Sequence, residues 1–131
     1  TFVRNKKEEF MGKSSALFAM KKIVEEQGIE AAAKGLKEMS TQPEMYFLLY
    51  PELDQYVYYM MLDGKLDDAV VLFETQAEIF PDKAMAYDSL GEVYKRKGNI
   101  DLAIKSFKRS LEIDPDNQNA KMQIEELEKK K

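Results

Sequence analysis

Cysteine and histidine are both absent from this chain of 131 residues. Without a thiol or an imidazole, the chain can form no disulfide, no Ser-His-Asp or Cys-His nucleophile and no zinc site built on these residues. The 6 glycines are scattered, so the sequence has no glycine-rich phosphate loop. We therefore expect a protein that is not an enzyme and that binds no metal and no cofactor.

An excess of basic residues is also missing, since 20 Lys and Arg stand against 24 Asp and Glu, for a net charge of −4. Nucleic acids and anionic membranes attract basic surfaces, so we expect neither as a partner. The most apolar window, residues 45–62, contains Pro51, Glu52 and Asp54 and is too costly to place across a bilayer. The composition indicates a soluble protein and leaves its compartment, cytoplasm or periplasm, undecided.

From Ser14 onward the apolar residues recur at helical spacing. Two helices are predicted to meet at Gly28 and to end before the turn at residues 40–43. Five more are predicted at about 51–62, 66–79, 84–97, 101–113 and 117–129. No stretch alternates between β-branched and polar residues, so no strand is expected. Residues 1–13 show neither pattern and are interpreted as an extension or linker.

The strongest signal is an internal repeat of 34 residues. Glycine permits the turn between two helices, alanine allows them to approach, phenylalanine fills the space against the next hairpin, and proline ends the second helix. One hairpin cannot bury its own apolar stripe, so the repeat predicts a stack. The shift superimposes Gly64 on Gly98, Asp67 on Asp101, Ala69 on Ala103, Phe73 on Phe107, Glu78 on Glu112, Ile79 on Ile113, Pro81 on Pro115 and Asp82 on Asp116.

The unit at residues 84–117 resembles the tetratricopeptide repeat family. Residues 50–83 are similar to it, and residues 14–47 resemble a degenerate unit that keeps Leu17, Gly28 and Ala33. The resemblance implies an all-α fold, a right-handed stack of helix hairpins over residues 14–131, in which residues 118–131 form a capping helix. The eight signature positions are occupied by Tyr87, Leu90, Gly91, Tyr94, Gly98, Ala103, Phe107 and Pro115.

The resemblance also implies a concave groove that holds a peptide or protein segment. The family's acidic-tail clamp uses Lys and Asn at several groove positions where this chain has acidic residues and a tyrosine, so that specificity is not expected. An acidic, amphipathic groove favours a partner with Lys or Arg beside apolar anchors. Carried onto this sequence, the groove positions are Phe18, Lys22 and Glu25, then Asp54, Tyr58 and Met61, then Asp88, Glu92 and Lys95.

Two other functions are open at this point. Residues 85–92, followed by Ile113, Asp114 and Pro115, resemble the repeat segment appended to some bacterial serine hydrolases, which would make this chain the non-catalytic part of an enzyme. Residues 56–62 are apolar on every side of their helix, so either neighbouring hairpins or a partner must cover them. A second copy of the chain is one such partner, and a homo-oligomer would result.

Overall fold

A computed structural model describes Glu9–Phe10 and residues 12–131. The chain divides into two compact units, one ending at Leu53 and one from Asp54 to Lys131. The described part contains seven helices, and the five predicted with explicit bounds begin and end within one or two residues of those bounds. They are α1 Ala16–Gln27, α2 Ile29–Ser40, α3 Tyr50–Leu62, α4 Leu66–Ile79, α5 Ala84–Arg96, α6 Ile100–Ile113 and α7 Gln118–Glu128.

The first unit is built on the packing of α1 against α2. Ser15 begins α1, because its Oγ accepts a hydrogen bond of 3.1 Å from the Phe18 N–H and satisfies one of the free donors of the first turn. Gly28 separates the helices with a φ of 95°, a conformation that glycine adopts without steric cost. The core of this unit consists of Ala16, Leu17, Met20, Ala32, Ala33, Leu36, Met39, Tyr50 and Leu53.

The expectation that the chain has no strand is wrong at three short segments. Strand β1 (Glu9–Phe10) pairs antiparallel with β2 (Lys13–Ser15), and β3 (Tyr46–Phe47) runs parallel to β2. Strands of two or three residues are too short to leave an alternating pattern in the sequence. Most of the extension predicted at residues 1–13 lies outside the described residues, and its assignment stays a prediction.

In the second unit, consecutive helices pack along the chain, α4 on α5, α5 on α6 and α6 on α7. Gly64 and Gly98 follow α3 and α5 with φ values of 87° and 81°, so each glycine turns the chain into the second helix of a hairpin. Phe73 and Phe107, which the 34-residue shift superimposes, are both fully buried. No helix in the described part of the chain is long and apolar enough to cross a membrane.

Helix α7 takes the place of a first helix in a further repeat. The ion pair of Lys97 with Asp67 recurs 34 residues later as Lys131 with Asp101, at 3.1 Å. The same shift relates the Tyr94 to Glu74 hydrogen bond to the ion pair of Lys108 with Glu128. Helix α7 therefore packs on α6 as α5 packs on α4.

The buried apolar residues of α7 lie on one side of the helix. Ala120 and Leu127 join the buried cluster of Ala103, Ile104 and Phe107. At the position equivalent to Gly91, α7 carries the exposed Glu125. The capping helix expected from the sequence is therefore present, and it covers α6 with one side while it presents charged side chains to solvent with the other.

Candidate functional site

Helices α3, α5 and α7 are the first helices of successive hairpins and lie next to one another. The Ser89 hydroxyl on α5 donates to Asp54 Oδ1 on α3 at 2.7 Å, and Lys95 Nζ on α5 donates to Gln123 Oε1 on α7 at 3.0 Å. Because these bonds are short, α5 must lie between the other two helices. We call the exposed side of this trio the first-helix face.

The 34-residue repeat arranges the first-helix face in three rows, each with one residue from each helix except that Lys130 lies just beyond the end of α7. The first row is Asp54, Asp88 and Met122; the second is Tyr58, Glu92 and Glu126; the third is Leu62, Arg96 and Lys130. Rows lie four residues apart, so the members on one helix form a single stripe. The first two rows carry four carboxylates, whereas the third carries two cations and one leucine.

Asp54 lies where three helices meet. Its Oδ1 accepts hydrogen bonds from Gln76 Nε2 on α4 at 2.9 Å and from the Ser89 hydroxyl on α5 at 2.7 Å. Gln76 is completely buried, so its amide depends on partners inside the protein. Asp54 was expected to meet a binding partner, but the structure also gives its carboxylate an internal role in joining two hairpins.

We expect Asp54→Ala to lower the free energy of unfolding by about 1–3 kcal/mol, because it leaves the buried Gln76 amide without this acceptor. Asp101→Ala is the matched control. It removes a carboxylate that pairs with Lys131 at the surface, and the expected loss is below about 1 kcal/mol. Urea denaturation of both variants measures the difference. Equal losses in the two variants would contradict the internal role of Asp54.

Asp88, the repeat equivalent of Asp54, also bonds inside the protein. Its Oδ2 accepts from Asn117 Nδ2 at 2.8 Å, and the same amide lies 2.9 Å from the Ser110 hydroxyl. Asn117 is the N-cap of α7, since its side-chain oxygen accepts from the Ala120 N–H. A lysine at position 88 would therefore disturb the start of α7 as well as the surface charge.

The second and third rows contain a group of charges on α5. Glu92 accepts from Arg96 Nε at 3.2 Å and lies 3.2 Å from Lys95 Nζ. These are i, i+3 and i, i+4 pairs on one helix, which contribute a few tenths of a kcal/mol each. The two cations are thereby partly neutralised, and the middle of the face is polar without a strong net charge.

Two predicted contact residues on α3 differ in exposure. Tyr58 is 40% exposed and belongs to the first-helix face, whereas Met61 is 1% exposed and lies in the core. The stripe from Asp54 and Tyr58 continues four residues further, to Leu62, which is 49% exposed. Met61 falls one residue short of that stripe and is turned inward, so the groove assignment of Met61 is corrected in favour of Leu62.

The remaining three predicted contacts lie on α1 in the first unit. Lys22 Nζ lies 4.7 Å from the centre of the Phe18 ring, a distance at which the ammonium group is attracted to the ring face. Phe18 is half-buried, while Lys22 and Glu25 are exposed. These residues form a local surface of the first unit, and their role in binding stays a prediction.

Tyr94 on α5 donates a hydrogen bond to Glu74 on α4. Burial raises the pKa of Tyr94, and the hydrogen bond to Glu74 raises it further. The Tyr94 phenol therefore stays protonated and acts as a donor. Among the described residues, no group of three or more Asp and Glu side chains is placed to hold a metal ion.

Three exposed apolar residues on or beside this face were not predicted as contacts. Leu62 and Met122 belong to its rows, and Met85 lies one turn before Asp88 on α5. Met85 and Met122 are both at least half exposed. The 34-residue alignment could have found Met122, because it aligns with Asp54 and Asp88, whereas side-chain exposure alone identifies the other two.

Residues 84–117 match the family model described as tetratricopeptide repeat. This is the unit in which eight signature positions stand in the sequence, so the resemblance inferred there is confirmed. A 59-residue segment is 32% identical to the tetratricopeptide repeat domain-containing protein PYG7, chloroplastic, of Arabidopsis thaliana, over 45% of this chain and 20% of that protein. Another segment, of 61 residues, is 39% identical to Superkiller protein 3 of Schizosaccharomyces pombe, and it covers 47% of this chain and 4% of that protein.

The matched segments thus span a fifth or less of the length of these relatives. Two solved structures are similar over most of this chain. A mutant of MamA has a TM-score of 0.63 at 20% identity, covering 88% of this chain and 82% of its own. A chain in the structure of Naa15/Naa10 bound to HypK-THB has a TM-score of 0.57 at 17% identity, and the match covers 86% of this chain and 16% of that chain. At these identities the likeness shows the fold alone, and it confirms the helical-repeat class.

Proposed function

We propose that this chain, which carries a tetratricopeptide repeat at residues 84–117, is a non-catalytic scaffold that binds a segment of another protein on its first-helix face. The groove implied by the family resemblance corresponds to this face. The observation that supports the proposal is a set of exposed apolar side chains on three adjacent helices of a chain that is 34% charged. They are Tyr58, Leu62, Met85 and Met122.

The chemistry of this surface is that of a protein interface. Aromatic and methionine side chains are enriched at the centres of interfaces, where they supply contact area. The first two rows carry the carboxylates of Asp54, Asp88, Glu92 and Glu126 beside Tyr58 and Met122, and this composition favours a partner that brings Lys or Arg next to an apolar anchor. Charges at the edge of an interface mainly set the rate of association, and the buried aromatic group contributes most of the affinity.

The proposal is tested by comparing which proteins the wild-type chain and two variants capture by cross-linking from an extract of the source cells. Tyr58→Lys places a charge in the centre of the first-helix face. Leu102→Lys is the matched control, because Leu102 is similarly exposed but lies on α6. A genuine partner is captured by the wild type and by Leu102→Lys and is lost with Tyr58→Lys.

For a partner found in this way, we expect Tyr58→Ala to weaken binding by more than about 1 kcal/mol. Glu92→Gln should weaken binding more at low salt than at high salt, because ions screen the charge. Circular dichroism confirms that each variant is folded. If Tyr58→Ala binds as tightly as the wild type, the first-helix face is not the binding surface.

A further inference from the structure

Helix α7 and the residues that follow it present an apolar, an acidic and a basic side chain in one exposed stripe. Met122 is 50% exposed, and Glu126 and Lys130, four and eight residues further on, are also exposed. Lys129 keeps a helical backbone, so the stripe continues past the end of α7 to Lys130. Four residues of helix rise about 6 Å, so the chemistry of the stripe changes once in each such step.

Neither packing nor the helix dipole accounts for the charges of this stripe. Glu128 and Lys131 form ion pairs with residues of α6. In the described part of the chain, the side chains of Glu126 and Lys130 form no hydrogen bond and no ion pair. Glu126 also lies in the last turn of α7, where the negative end of the helix dipole disfavours a carboxylate. Its charge is therefore available to a group from outside the chain.

Helix α5 carries the same order of charge in the adjacent stripe, with Asp88 and Glu92 before Arg96. These charges are held within the protein, because Asp88 bonds to the N-cap of α7 and Glu92 lies 3.2 Å from Arg96 Nε. The bond of Lys95 to Gln123 joins the two stripes. Both stripes thus change from acidic to basic in the same direction, and α7 supplies the unpaired charges.

We propose that these two stripes bind an extended segment of a partner protein that carries an apolar residue, then Lys or Arg, then Asp or Glu at alternate positions, counted from the end that lies at the first row. This inference rests on the proposed function and adds the order of the charges in the partner. We call the two stripes the α5–α7 surface, which consists of Asp88, Glu92, Arg96, Met122, Glu126 and Lys130.

Each position of the segment meets one row. The apolar residue packs on Met122, the cation pairs with Glu126 and the anion pairs with Lys130. A segment in which the two charges are exchanged would place like charges together in the second and third rows, and this repulsion selects against it. The acidic groove expected from the sequence is therefore only part of the surface, because the third row requires an anion from the partner.

The spacing and polarity of the rows favour an extended segment. Side chains on one side of an extended chain recur at every second residue, roughly 7 Å apart, close to the spacing of the rows. A bound helix would bury an apolar side in an apolar groove, whereas the second and third rows are charged. The N–H and C=O groups of an extended segment can bond to these polar side chains.

The test selects ligands from a phage-displayed library of random peptides, with the full chain as the target. We expect the enriched peptides to share the order apolar, basic, acidic at alternate positions. A synthetic peptide of the enriched sequence and a second peptide with its two charges exchanged are then titrated by fluorescence anisotropy. The first should bind the wild-type chain at least fivefold more tightly, and net charge cannot explain the difference because the two compositions are identical.

Exchange of the charges on α7 should reverse this preference. The variant combines Glu126→Lys with Lys130→Glu and keeps the net charge of −4. The matched control combines Lys121→Glu with Glu125→Lys, which exchanges two exposed charges at the same spacing on the outer side of α7. The control should leave the preference for the first peptide unchanged. Melting temperatures confirm that both variants are folded.

Three results would overturn the charge order. Enriched peptides that lose binding with Met122→Lys but share no order of charges would keep the first-helix face as a binding surface and refute this inference alone. A peptide preference that survives the exchange at positions 126 and 130 would also refute it. If no peptide in the library binds the chain, the inference is again refuted, and the cross-linking comparison decides the proposed function by itself.

Discussion

Deletion of residues 118–131 is expected to lower the free energy of unfolding by about 3–6 kcal/mol. The deletion removes Ala120, Ile124 and Leu127 from the cluster around Phe107. Ile104 and Phe107 are then uncovered, and exposure of each large apolar side chain costs roughly 1.5–3 kcal/mol. In a chain of this size the loss corresponds to a fall of more than about 10 °C in melting temperature.

The matched control for this deletion removes residues 129–131 only. It eliminates the ion pair of Lys131 with Asp101 but leaves the apolar side of α7 in place. Its expected cost is below about 1 kcal/mol, because both groups are at the surface. Thermal and urea denaturation measure both shortened chains. The capping role of α7 is refuted if the longer deletion leaves the melting temperature unchanged and the protein monomeric.

Phe107→Ala is expected to lower the free energy of unfolding by about 3–5 kcal/mol, the cost of a cavity left by a buried aromatic side chain. Phe107 is 1% exposed and fills the space beside Gly91. A Cβ atom at position 91 would lie 2.7 Å from the Phe107 ring. Phenylalanine at position 107 and glycine at position 91 therefore require each other.

This mutual requirement predicts that Gly91→Ala changes the free energy of unfolding in opposite directions in the wild type and in the Phe107→Ala variant. In the wild type, Gly91→Ala should be destabilising by up to about 2 kcal/mol, because overpacking against the ring outweighs the better helix propensity of alanine. In the Phe107→Ala background the ring is gone, and the same Gly91→Ala change should be stabilising. A double-mutant cycle measured by urea denaturation checks this coupling. Additive effects would show that the two sites do not interact.

Gly35→Ala is the control for this cycle. A Cβ at position 35 would lie 2.8 Å from Cδ1 of Ile23, which is the end of a flexible side chain. Ile23 is only half-buried and can turn aside, whereas the Phe107 ring is enclosed on all sides. We therefore expect Gly35→Ala to be neutral or stabilising, by up to about 1 kcal/mol.

The helices could be read from the sequence because their ends are marked by residues with a strong local effect. Gly64 and Gly98 have positive φ and follow the first helix of each hairpin, while Pro81 and Pro115 cannot continue a helix and follow the second. The three strands could not be read, since pairing of Ser14 with Tyr46 joins residues far apart in sequence. Nothing local to either residue records that contact.

The surface proposed for binding was predictable from the sequence only to the helix, and not to the residue. Spacing of three or four residues places Met61 and Leu62 equally well beside Tyr58, and packing in the core decides between them. Asp54 and Asp88 were predicted as groove residues because they stand at the groove positions that the family resemblance implies. Their hydrogen bonds to Gln76 and Asn117 depend on how hairpins stack, which composition does not record.

The two sides of α7 set a limit on assembly by the second unit. Head-to-tail growth by further repeat stacking would need α7 to accept another helix on its outer side, as α5 accepts α6. The outer side of α7 instead presents Lys121, Glu125 and Glu128 to solvent, at positions where α5 has Tyr87, Gly91 and Tyr94. Their burial would strip water from three charges. Head-to-tail growth through the outer side of α7 is therefore disfavoured.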